Sequence, residues 1–131
     1  MLLHVLLKIL KNKKWVVYRI PCDCKVSYYG ETKRKLSTCS REHELACKQA
    51  KETGIVRKNG YNDSGMATHC LSCSKSFNFS EIEILEHQKN SDKRQYLEAM
   101  HILLASDSIN LNQGKKTSDP NWLPILKAFQ F

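Results

Sequence analysis

The chain has 131 residues, of which 41% are hydrophobic and 26% charged, with five glycines and three prolines; that balance suits one folded domain and excludes a low-complexity chain or two self-sufficient domains. Lysine and arginine total 21 against 13 acidic residues, a formal charge of +8, which concentrates polyanions such as nucleic acid near the surface. A basic surface that is merely well solvated gives the same count.

The first ten residues, MLLHVLLKIL, are apolar but carry His4 and Lys8. They lack the basic start and small-residue cleavage site of a secretory signal and are too short to span a bilayer. Without such a signal, the six cysteines read as free thiols or metal ligands in a reducing, intracellular setting rather than as a disulfide framework. No membrane association is expected. Residues 15–21, WVVYRIP, and 26–30, VSYYG, are β-prone runs that predict a hairpin, with Cys22 and Cys24 at its tip. From Leu36 the positions Leu36, Cys39, His43, Cys47 and Ala50 recur at three- and four-residue steps, which predicts a helix ending at Thr53 and Gly54. Residues 54–65 hold Asn-Gly and Asp-Ser-Gly signals and read as a basic loop. A short helix over 66–72 and an alternating strand over 77–85 follow. Ser91 and Asp92 can cap a last helix running to about residue 105, with Tyr96, Leu97, Met100, Leu103 and Leu104 facing inward.

Six short motifs stand in order along this frame: Val16-Val-Tyr18-Arg-Ile-Pro-Cys22, Tyr28-Tyr-Gly30-Glu-Thr32, Glu42-His43, Thr68-His69-Cys70, Lys93-Arg94 with Glu98-Ala99, and Ile109-Asn-Leu-Asn112. None is specific alone. Their joint order resembles the GIY-YIG endonuclease superfamily, and most closely the nuclease domain of Penelope-like retroelements. The resemblance covers roughly residues 15–126, which leaves residues 1–14 as an N-terminal extension and 127–131 as a tail. It implies an α+β fold, a small three-stranded antiparallel sheet flanked by helices, and the element order read from periodicity agrees.

The resemblance also implies metal-dependent cleavage of DNA phosphodiesters. Glu98 stands where the family holds Mg²⁺ or Mn²⁺, Tyr18 and Tyr28 where it has its two tyrosines, and His43 where a histidine assists proton transfer or contacts phosphate. Such a reaction needs a metal and a cation near oxygens that gain charge, and an acceptor for the proton of water. Read singly, Tyr18 and Tyr28 are equally sheet aromatics, Glu98 a solvated helix residue and His43 a helix-face histidine. Two positions depart from the family pattern. Val16 replaces a glycine, and Cys39 replaces the arginine that steadies phosphate; a thiol has neither permanent charge nor a two-pronged fork. Arg41 is rotated by roughly 200° from Cys39 on a helix, whereas Arg34 lies in the preceding turn and is free to approach. Lys33, Arg34, Lys35, Arg41, Arg57 and Lys58 are the expected phosphate contacts.

Between the tyrosine motifs the retroelement family carries two cysteines of a CCHH zinc site, matched here by Cys22 and Cys24, with His69 matching its first histidine. The second falls on Lys75. Cys73 lies four residues after His69 and completes a Cys3His set by spacing, with Cys70 as the competing ligand. The expectation is therefore a retroelement-derived, DNA-acting nuclease-like domain, impaired through Cys39, with a structural zinc and a nuclear location. A reverse-transcriptase domain belongs to such a parent element. The alternatives are a catalytically inert, zinc-stabilised nucleic-acid-binding module, or a nonfunctional element fragment.

Overall fold

Two runs of β-branched and aromatic residues form the centre of the molecule. The computed structural model describes residues 2–56 and 65–110. Its elements are α1 (Leu2–Lys11), β1 (Val16–Pro21), β2 (Ser27–Thr32), α2 (Leu36–Thr53), α3 (Gly65–Ser72), β3 (Glu83–His87) and α4 (Ser91–Leu104). The strands make an antiparallel three-stranded sheet in the order β2-β1-β3, which is the α+β class expected. The predicted contacts Arg57 and Lys58 and the closing Asn112 lie outside the described residues.

Strand alternation sorts side chains to two faces. Val16, Tyr18 and Ile20 point to one side, joined across the β1–β2 register by Tyr28 opposite Ile20 and Gly30 opposite Tyr18. This face packs with Leu36, Cys39 and Cys47 of α2 and Met66 and Cys70 of α3 in one core cluster. On α2, Leu36, Cys39, His43, Cys47 and Ala50 are all buried, as the helical period requires, and Gly54 ends the helix at φ 70° with its N–H bonded to the Ala50 carbonyl. Behind the sheet, α4 is tied down by a buried ion pair, Arg94 Nε to Glu31 Oε2 at 2.6 Å. Arg94 also donates to the Gln88 and Lys89 carbonyls.

Three expected boundaries or faces are corrected. The third strand occupies Glu83–His87, not 77–85: Phe77 makes only an isolated bridge to Cys22, and the Asn78 side chain accepts from the Ser80 N–H and turns the chain there. The cap of α4 is Asn90, whose side chain accepts from the Lys93 N–H, so Ser91 and Asp92 lie in the first turn. The buried residues of α4 are Arg94, Ala99 and Ile102, while Tyr96 is exposed. A charged residue won the inward position because Glu31 waits beneath it. The N-terminal extension contains a helix, α1, whose Leu2, Leu3, Val5, Leu6, Ile9 and Leu10 are exposed.

Candidate functional site

Tyr18 sits at the middle of the central strand, 1% exposed, and its ring crosses the ladder over Gly30. A Cβ at Gly30 would stand 2.5 Å from the Tyr18 hydroxyl, so only glycine admits the ring there. The hydroxyl meets two side chains one turn apart on α2: His43 Nε2 at 2.9 Å and Cys39 Sγ at 3.0 Å. Tyr28 joins them with its ring centroid 5.0 Å from that of His43 and 6.5 Å from that of Tyr18. The sheet and α2 therefore bring four sequence-predicted residues, Tyr18, Tyr28, Cys39 and His43, into one cluster.

Burial governs its electrostatics. Desolvation pushes the Tyr18 hydroxyl well above the ordinary tyrosine range, reinforced by Cys39 and Tyr28 and, more weakly, by the charge of Glu98. It lowers His43 to about 4, which makes this imidazole neutral at pH 7. Cys39 is raised by the same cause and is a neutral thiol. With one proton on each of Tyr18 and Cys39, the hydroxyl donates to one neighbour and accepts from the other, the direction set by the His43 tautomer. Glu98, half-buried on α4, is near enough for its charge to bear on Tyr18.

Cations gather at the rim. Lys33, Arg34 and Lys35 lie exposed in the turn between β2 and α2. Arg34 reaches Glu42 with both prongs, Nη1 to Oε1 and Nη2 to Oε2, each at 2.8 Å. Arg41 is exposed while Cys39 and His43 are buried, so it leaves from the opposite side of α2.

A second site lies at the hairpin tip. Cys22, Cys24, His69 and Cys73 present ligand atoms all within 4.8 Å of one another, and Cys24 Sγ is 3.3 Å from His69 Nε2. A tetrahedral ion with M–S bonds of about 2.3 Å spaces its ligands by about 3.5–3.8 Å, so the four need close by about an ångström at most. Two amides support thiolate charge: the Lys75 N–H donates to Cys73 Sγ at 3.4 Å, and the Val26 N–H to Cys24 lowers that thiol. Burial pushes Cys22 up to about 12, the proton a bound cation would displace. The Cys3His group can hold a metal. Cys70, the competing ligand by spacing, turns instead into the core cluster that it shares with Cys47 of α2; successive helix positions 69 and 70 diverge by about 100°.

Two features escaped the sequence. The Arg94–Glu31 pair is one, and its signal was an arginine four residues before Glu98 on the same helix face. The other lies behind the sheet, where Tyr29 donates to Asp107 at 2.7 Å and Arg19 to Asp107 at 3.1 Å. Asn110 brackets the Tyr29 backbone, accepting its N–H at 3.0 Å and donating to its carbonyl at 2.7 Å. No family model, no curated protein and no solved structure matches the chain. Among the described residues, no helix is long and apolar enough to cross a membrane.

Proposed function

We propose that the chain is a GIY-YIG-type endonuclease domain of the kind found in Penelope-like retroelements, acting on DNA in the nucleus. The observation that carries this reading is the convergence of Tyr18, Tyr28 and His43 on one hydrogen-bonded cluster, with Glu98 close enough to be felt there. Glu98 would hold Mg²⁺ or Mn²⁺, which supplies positive charge to the phosphate oxygens. Tyr18 and neutral His43 form a proton path from the site, the hydroxyl handing its proton to Nε2 as it receives another. Both are poor acceptors, since burial disfavours the phenolate and the imidazolium alike. Cys39 adds no cation. Cleavage is therefore slow relative to binding, and the exposed Lys33, Arg34 and Lys35 of the β2–α2 turn hold the DNA backbone without reading sequence.

The Cys3His group is proposed to hold zinc, since sulfur-rich tetrahedral sites select it. It joins the hairpin tip to α3 and serves the fold.

A second reading, an inert zinc-stabilised DNA-binding module, is favoured by Cys39 at 3.0 Å from the Tyr18 hydroxyl, where the family has its arginine. Incubating the protein with supercoiled plasmid in Mg²⁺ or Mn²⁺, with and without EDTA, separates the two. Nicking that EDTA abolishes supports the nuclease; salt-sensitive DNA binding with no nicking supports the inert module.

A further inference from the structure

We propose that Arg34, braced by Glu42, is the phosphate-binding cation of the Tyr18–His43 site, supplying from the β2–α2 turn the charge that Cys39 lacks. The proposal rests on the nuclease reading and assigns one of its parts. Elimination points the same way. Of the described arginines, Arg19 is bonded to Asp107 and Glu83 behind the sheet, Arg94 is buried on Glu31, and Arg41 leaves α2 on its exposed side.

Arg34 is fixed at both ends. Its backbone N–H donates to Thr32 Oγ1 at 3.0 Å, and its guanidinium is held end-on by both oxygens of Glu42, the residue next to His43. A surface pair of this kind contributes little stability; what it fixes is direction. Two of five N–H donors face Glu42, and the remaining three are available to a phosphate, for which the planar fork is well shaped. The side chain is 44% exposed, so an incoming phosphate can reach it. Its charge is felt inside the cluster: it opposes the burial-driven rise of Cys39 and adds to the lowering of His43.

The test uses the full chain loaded with zinc and compares Arg34→Ala, Arg34→Lys and Arg34→Ala with Cys39→Arg. Plasmid nicking in Mn²⁺ and duplex affinity across a salt series are both measured. Arg34→Ala should lower nicking by about 10²-fold while binding falls only a few fold. Arg34→Lys should recover part of the rate, because a point charge lacks the fork. Adding Cys39→Arg to Arg34→Ala should restore nicking from the other side of the site. Native nicking by Arg34→Ala overturns the proposal. If the native chain binds but does not nick, the nuclease reading fails, and Arg34 is judged by binding. The slope of log affinity against log salt should then fall by about one in Arg34→Ala, and an unchanged slope overturns the assignment.

Discussion

At the scale of single residues the site turns on Cys39. Its thiol lies 3.0 Å from the Tyr18 hydroxyl, one helical turn from His43, where a guanidinium would extend past the cluster to the rim. In the Arg34→Ala background Cys39→Arg should raise metal-dependent nicking by roughly 10² or more, whereas Arg41→Ala in the native chain should change it little; no rescue by Cys39→Arg together with loss of nicking in Arg41→Ala would place the working arginine at 41. His43 carries a pH signature. Its folded value, about 4, lies below the ordinary 6.5, so the unfolded chain binds the extra proton first. Stability from this group is complete above about 6.5 and is lost as pH falls toward 4. Melting curves in that window should flatten in His43→Leu relative to the native chain, and an equal slope would mean that His43 is not buried neutral. The helix period already put Cys39 and His43 on one face. The family resemblance grouped Tyr18 with both, but periodicity did not, because their meeting depends on a glycine opposite Tyr18 in the strand register, and register belongs to two strands at once.

At the scale of elements, two side-chain groups join separate parts of the chain. The Cys3His group brings the β1–β2 turn beside α3. Purified protein should carry about one equivalent of zinc, and Cys22→Ser or His69→Ala should lose it and lower Tm by about 10 °C or more; metal-free protein with an unchanged melt would contradict a structural metal. The Arg94–Glu31 pair links α4 to β2 with little solvent access. Arg94→Ala strands the Glu31 carboxylate and should cost about 3–5 kcal/mol in denaturant unfolding. The family resemblance pointed to Cys22, Cys24 and His69, and spacing added Cys73, since a histidine and a cysteine one helical turn apart share a face. The inward arginine of α4 was not legible: an apolar stripe is sought among apolar residues, and the partner that makes Arg94 a core residue is 63 positions away. The third strand slipped for a similar reason, because alternation continues through Phe77 and Phe79, while the Asn78 turn and Pro21 decide where pairing starts.

At the scale of the whole molecule, a small sheet holds one tyrosine cluster against α2 and carries α4 on its other face, with a basic turn at the rim. The β-runs and the helical periods made this class of fold legible. How α4 approaches the sheet was not, since the chain between β3 and α4 constrains direction only loosely. In the proposed nuclease Glu98 would hold the divalent ion and the basic turn the DNA, two functions on separate elements. They can therefore be separated by one comparison: native protein and Glu98→Gln, each assayed for Mn²⁺-dependent nicking of supercoiled plasmid and for duplex affinity at fixed salt. Glu98→Gln should bind within a few fold of the native chain and fail to nick, and equal nicking by the two proteins would remove Glu98 from the metal site.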